Sequence, residues 1–161
     1  MYTPNQQVKK YHQLINDENL EQAYCIIMST MSQLKVTWDT RYPEMPSGSL
    51  YQGFLDMTFI SVKPAGLSDL DLKVSIVYLH QRNSFEGWLV ARNRKIQSDI
   101  HQKLQSQPLG KYNLTVLAPG VDAIIDTVLI QHPDFDDPAS LIEEVIKNSL
   151  NFISDMQKLV R

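Results

Sequence analysis

Apolar residues recur at helical spacing in the first quarter of the chain. Four of them, three to four residues apart, predict a helix over residues 5–15. Asp17 is suited to cap a second helix. That helix must end near Tyr42, because Pro43 disfavours helical backbone in the residue before it. The apolar stripe of the second helix is Leu20, Ala23, Tyr24, Ile27, Met31, Leu34 and Trp38.

The pattern changes to strict alternation in residues 50–62, which predicts a first strand. Residues 72–80 and 85–91 are rich in β-branched and aromatic residues and predict two more strands. The intervening turn is short, so the strands form an antiparallel meander. The core face of the first strand is predicted to be Tyr51, Leu55, Met57 and Phe59.

The second half of the chain is predicted to contain two more helices and two more strands. A helix is predicted over residues 92–105, strands over 112–117 and 123–130, and a last helix that Asp137 caps. The order is α-α-β-β-β-α-β-β-α. It predicts a single α+β domain over residues 1–161, with a mostly antiparallel five-stranded sheet and flanking helices.

Composition restricts the function more than it defines it. The net charge of -3 argues against a dedicated nucleic-acid binder. The single cysteine excludes an intrachain disulfide and Cys-based zinc sites. No segment has the roughly 20 apolar residues that a membrane span needs, and no signal peptide is recognisable. We therefore expect a cytoplasmic protein with no membrane partner, no cofactor and no metal.

Two carboxylates are the weak catalytic candidates. The element order matches the core of PD-(D/E)XK nucleases, and Asp71-Leu72-Lys73 has the shape of their triplet. However, Asp71 should lie about 20 Å from Asp56 along the strands, too far to share one metal. Asp56 and Glu86 are instead predicted on one sheet face, roughly 10 Å apart. They form either an acid/base pair or a metal site. The alternative, which we favour, is that one makes a salt bridge to a covering helix and the other is solvated.

Four basic residues gather around the start of the helix at residue 92. Lys73 is predicted to pair with Arg92, and Arg94 and Lys95 follow in the first helical turn. Cations beside free backbone N–H groups could hold a phosphate or a carboxylate. The alternative, which we favour, is that Arg92 and Arg94 pair with Asp or Glu from elsewhere in the chain, for example from the acidic region at residues 122–144.

Several segments resemble a family of small bacterial proteins of unknown function. They are YQGFLDMTFI, LKVSIVYLHQRNSFEGWLVARNRKIQ and HPDFDDPASL, of which FEGWLVARNRKIQ and PDFDD are the most specific. The resemblance extends from about Leu20 to Arg161. It implies a stand-alone domain of about 160 residues and assigns no activity or catalytic residue.

These observations leave three hypotheses and do not decide whether the protein is an enzyme. The first is a non-enzymatic binding domain for a protein partner or an anionic small molecule, with Lys73, Arg92, Arg94 and Lys95 as its site. The second is a hydrolytic or metal-dependent, degenerate nuclease-like enzyme that uses Asp56 and Glu86. The third is a homodimer formed through the long apolar last helix.

Overall fold

The computed structural model describes residues 1–161 as an α+β fold with four helices and a four-stranded antiparallel sheet. A short 3-10 helix, Ser68–Leu70, precedes the second strand. In chain order the elements are α1 Pro4–Ile15, α2 Glu18–Arg41, β1 Met57–Val62, β2 Leu72–Leu79, β3 Ser84–Ala91, α3 Arg94–Gln105, β4 Ala123–Gln131 and α4 Pro138–Leu159.

The prediction of five strands is wrong, because residues 112–117 do not form a strand. This segment makes one isolated bridge to β4, between Leu114 and Ile125. The ladder stops at Thr115, whose hydroxyl donates to the Ala123 carbonyl and whose own carbonyl bonds to His101 of α3. Backbone groups that are committed to side chains cannot extend a strand pair. The sheet order is therefore β1-β2-β3-β4.

The first strand is shorter than the alternation predicts. A turn interrupts residues 50–62, with Gly53 at φ 72° and Leu55 at φ 63°. A Cβ atom on Gly53 would lie 1.9 Å from the Met57 carbonyl oxygen, so only glycine fits there. The predicted core face of this strand is also wrong: Thr58, Ile60 and Val62 are buried, and the alternate residues are only partly buried.

The β2–β3 hairpin is displaced by two residues from the predicted register. Leu79 pairs with Ser84 and Val77 pairs with Glu86, whereas the prediction paired His80 with Phe85. Side chains in a strand alternate with a period of two, so this error leaves every β3 side chain on its predicted face.

Helices α2, α3 and α4 contribute to one hydrophobic core with one face of the sheet. Phe152 of α4 packs on Gly87, where an added Cβ would lie only 2.8 Å from the Phe152 ring. Gly87 thus allows the close approach of α4 to the sheet. We call this side the covered face, formed by Thr58, Ile60, Val62, Leu72, Val74, Ile76, Tyr78, Phe85, Gly87, Leu89, Ile125 and Ile130.

Helix α4 does not offer the apolar surface that the homodimer hypothesis used. Asp137 and Pro138 start it as predicted, but eight of its residues, from Leu141 to Met156, are buried within the chain. The apolar stripe of α4 is therefore part of the core. By contrast, no residue of α1 is buried. None of the helices is both long and apolar enough to cross a membrane.

Candidate functional site

The opposite side of the sheet is the second surface of interest, and we call it the open face. Its central residue, Val77, is fully buried but is not part of the hydrophobic core. The neighbours of Val77 across the strands are Phe59 and Glu86, so side chains of the sheet itself shield it. The open face is formed by Met57, Phe59, Ser61, Lys73, Ser75, Val77, Leu79, Ser84, Glu86, Trp88, Val90, Asp126 and Val128.

A cavity of about 290 Å³ lies at one end of the open face and brings both predicted carboxylates to its wall. Its lining includes three acidic residues, one arginine and one tryptophan. We call it the carboxylate cavity; it is lined by Asp56, Met57, Leu79, Gln81, Arg82, Glu86, Trp88 and Asp126.

Glu86 is the most buried of the three acids, with a relative exposure of 2 %. Both of its carboxylate oxygens accept hydrogen bonds. Arg82 Nη1 donates to Oε1 at 3.1 Å, and the Trp88 indole Nε1 donates to Oε2 at 2.8 Å. A buried carboxylate needs such partners, because burial without them costs several kcal/mol, roughly 2–7 even for a neutral polar group. Arg82 and Trp88 therefore fix the Glu86 carboxylate at the wall of the cavity.

Asp56 lies in the turn that precedes β1. Its Oδ1 accepts a hydrogen bond from the Phe54 N–H at 2.8 Å. This bond, together with one from the Met57 N–H, lowers the pKa of Asp56 below its ordinary value. Asp56 is consequently ionised at neutral pH. The Phe54 side chain in the same turn is 91 % exposed.

Asp126 is the acid with the fewest contacts. It pairs with Trp88 in the β3–β4 register and is exposed. It takes part in none of the seven ion pairs of the molecule. Glu86 is compensated by Arg82, so Asp56 and Asp126 give the cavity its negative charge.

His80 connects the cavity end of the sheet with α2, a role that sequence patterns did not indicate. Its Nε2 and the Thr58 Oγ1 are 2.8 Å apart, and its ring stacks on Tyr24 of α2 at 6.1 Å between centroids. The His80 N–H also donates to the Asp56 carbonyl oxygen at 3.0 Å. Burial lowers the pKa of His80, and the charge of Asp56 opposes this shift.

The arginines near α3 pair with carboxylates, as the favoured alternative predicts, and Arg94 does so with Asp122 of the acidic region. Arg92 pairs with Asp71 at 3.5 Å, Arg94 with Asp122 at 3.0 Å, and Lys95 with Asp99 at 2.9 Å. Arg94 also donates to the Val121 carbonyl. These pairs place a carboxylate beside each of the three cations, and such exposed pairs are weak enough to exchange for a ligand.

The start of α3 and the position of Lys73 are the remaining features of the predicted anion site. Asn93 caps α3 by accepting the Ile96 N–H at 2.9 Å, so one free backbone donor is already used. Lys73 pairs with Val90 rather than with Arg92 and lies on the open face. An anion site at Lys73, Arg92, Arg94 and Lys95 stays a prediction.

Larger grooves occur elsewhere in the molecule. One of about 550 Å³ is lined by Arg94 and Gln97 of α3 and by the loop at residues 117–120. Another of about 520 Å³ lies between α2 and α4 and contains the Arg41–Glu143 ion pair, which lowers the pKa of Glu143. A third of about 660 Å³ lies beside α3 and contains His101. No group of three or more His, Cys, Asp or Glu side chains is placed to hold a metal ion.

Comparison with known proteins gives a family but no activity. Residues 3–160 match the model of a domain of unknown function, DUF7000. The chain belongs to this family. The resemblance to a domain of unknown function of about 160 residues is thereby confirmed. Neither the curated proteins nor the solved structures include a significant match to this chain.

Proposed function

We propose that this protein is a non-enzymatic binding domain that docks a partner protein on its open face. A lysine or arginine side chain of the partner would enter the carboxylate cavity. The observation that carries this proposal is the combination of three carboxylates with Trp88 at one small cavity, on a sheet face outside the hydrophobic core.

The charge of the cavity supports a cationic occupant. Asp56 and Asp126 are not matched by an arginine or a lysine, and the lowered pKa of Asp56 keeps it charged. Tryptophan beside carboxylates is a combination that recognises ammonium and guanidinium groups, through the ring quadrupole and direct ion pairing. A phosphate or a nucleotide would instead be repelled here.

The size of the cavity supports a single side chain rather than a free metabolite. At about 290 Å³ it lies at the lower end of the range for small-molecule sites, roughly 300–1,000 Å³. The surrounding surface supplies further apolar contact area. Tyr51 stacks on Phe59 of the open face, Val128 pairs with Glu86, and both are exposed. Phe54 and Leu55, in the turn before Asp56, are exposed as well. An aromatic patch around a charged pocket is typical of a protein interface.

Tryptophan fluorescence provides a direct test. Trp38, a residue of α2, is fully buried, whereas Trp88 is partly exposed, so a ligand in the cavity changes the emission of Trp88. We expect short peptides with one central lysine or arginine to bind, and the same peptides with glutamine there not to bind. Asp126→Lys should weaken binding by about 10-fold or more, equivalent to about 1.4 kcal/mol.

A matched control uses the other side of the molecule. Glu144→Lys makes the same charge change at an exposed acid of α4, outside the cavity. It should leave peptide affinity unchanged. Equal losses in Asp126→Lys and Glu144→Lys would mean that only the net charge matters, and the proposed site would be wrong.

Hydrolytic chemistry is the second candidate, because Asp56 and Glu86 line the same cavity. Two observations favour binding over catalysis. Both Glu86 oxygens are already occupied by donors, and the lowered pKa of Asp56 does not suit a general acid at neutral pH. The test is hydrolysis of bis-p-nitrophenyl phosphate in the presence of Mg²⁺. If the wild-type chain hydrolyses it and both Asp56→Asn and Glu86→Gln do not, catalysis would be favoured over binding.

We also propose that the protein works in the bacterial cytoplasm. A bacterial cytoplasmic protein agrees with a chain that has one cysteine and no disulfide. Detection of the chain in the soluble fraction of bacterial spheroplasts, and not in the periplasmic extract, would test this assignment.

A further inference from the structure

We propose that residues 4–29, the N-terminal arm, form a self-complementary dimerisation surface. The arm consists of α1 and the first half of α2. Its proposed occupant is the same arm of a second copy of this chain, related by a two-fold axis. This inference is independent of the carboxylate cavity.

The first observation is that the arm is helical but has almost no core of its own. Helix α1 has a complete capping box at Thr3 and Gln6 and a proline in its first turn, yet none of its residues is buried. The first buried residue of α2 is Thr30. A 12-residue helix is marginal in water unless an apolar face is packed against a partner.

The second observation is the apolar surface that the arm leaves in water. Val8, Tyr11 and Ile15 recur at three- and four-residue spacing, which places them on one face of α1. Their exposed fractions are 55 %, 57 % and 48 %. Contiguous exposed apolar side chains of this kind mark interaction surfaces. The exposed apolar residues of the arm are Val8, Tyr11, Leu14, Ile15, Leu20 and Ile26.

The third observation is the charge of the two helices, and it identifies the occupant. Helix α1 carries Lys9 and Lys10 and no acid, whereas α2 starts with Glu18 and Glu21 and has no Lys or Arg before Lys35. No ion-pair partner within the chain is available to any of these four residues, Lys9, Lys10, Glu18 and Glu21. A two-fold axis brings α1 of each copy against α2 of the other, so the opposite charges meet twice.

An anionic membrane is a weaker match for the same surface. It would attract the lysines of α1 but repel Glu18 and Glu21. The paired charges therefore favour a second copy. Tyr24, in the α2 part of the arm, stacks on His80, so the arm is joined to the sheet and keeps a defined orientation.

Charge exchange tests this proposal. Analytical ultracentrifugation of the wild-type chain should give twice the monomer mass of 18.5 kDa. The Lys9→Glu/Lys10→Glu variant and the Glu18→Lys/Glu21→Lys variant should each be monomeric, with the dissociation constant raised by roughly 100-fold, because like charges then face each other. An equimolar mixture of the two variants should form a heterodimer, since every pair is opposite again.

Apolar variants give the matched control. Val8→Glu should produce a monomer, whereas Val36→Glu, at an exposed valine of α2 beyond the arm, should leave the dimer intact. Circular dichroism should show that all variants are folded. A monomeric wild-type chain, a dimer that survives Val8→Glu, or a mixture that stays monomeric would each overturn the proposal. A monomer that pellets with phosphatidylglycerol vesicles would also overturn it, in favour of a membrane surface.

Discussion

The two faces of the sheet are built from the same four strands, yet their side chains are buried in different ways. On the covered face, α4 approaches so closely that Gly87 has room for no side chain beneath Phe152. On the open face, Val77 and Glu86 are as deeply buried as the core residues of the covered face. There, however, neighbouring strand residues and Arg82 cover them. Burial alone therefore does not distinguish core residues from site residues in this protein. What distinguishes them is whether a helix or only other side chains lie above them.

Truncating one phenylalanine on each face should give the largest difference. Phe152→Ala leaves a cavity between α4 and the sheet, and we expect a loss of about 3–5 kcal/mol in the free energy of unfolding. Phe59→Ala removes a partly exposed ring from the open face, and we expect less than about 2 kcal/mol. Urea titration followed by circular dichroism measures both. Equal losses would mean that the open face is a second core.

Glu86 tests whether a polar group organises the open face. Glu86→Ala leaves the Trp88 indole N–H without its acceptor, at a cost of about 1–3 kcal/mol. Glu86→Gln keeps an acceptor oxygen and should cost less. The comparison is made by urea unfolding together with the Trp88 emission spectrum. If both variants lose the same stability, the hydrogen bond to Trp88 is not what matters at this position.

Arg94 tests the anion-site prediction near α3. Its pair with Asp122 is exposed, so Arg94→Glu should change the free energy of unfolding by no more than about 1 kcal/mol. If Arg94 belongs to an anion site, phosphate or nucleotides should raise the melting temperature of the wild-type chain but not that of the variant. A flat panel in the wild-type chain would remove this site from consideration. Unfolding of the variant would instead show that the ion pair is structural.

His80 should give an effect on stability that depends on pH. Its pKa is lowered in the folded chain, so the unfolded chain binds more protons just below pH 6.5, its ordinary value. The stability that neutral His80 contributes is present above pH 6.5 and is lost as the pH falls toward its lowered pKa. The free energy of unfolding should therefore fall less between pH 7 and pH 5 in His80→Gln, by roughly 1.4 kcal/mol for each unit of the shift. Parallel curves for the two proteins would contradict this assignment.

Much of the fold was accessible from residue patterns. Pro138 after Asp137 marks the start of α4, because proline fits the first helical turn and aspartate caps it. The α+β class and the β1–β2–β3 meander also followed from spacing. The strand over residues 112–117 was wrong, because alternation cannot show that the Thr115 carbonyl is used by His101 from α3.

The candidate site was only partly accessible. Glu86 and Trp88 were placed on one face correctly, because residues two apart in the same strand always share a face. Asp126 was missed because it comes from β4, 38 residues beyond Trp88 along the chain, and nothing in its local sequence distinguishes it from a solvated acid. Its importance arises only from its position beside Trp88.

The sequence by itself determined the types of most elements, many of their boundaries and the family, because periodicity, caps and turn residues act over a few positions. The tertiary structure alone decided which sheet face the helices cover, which acids share a cavity and which charges are paired. These depend on contacts between residues far apart in the chain. Arg94 meets Asp122 and Gly87 meets Phe152 only after the sheet and helices have assembled, and no local pattern encodes those distances.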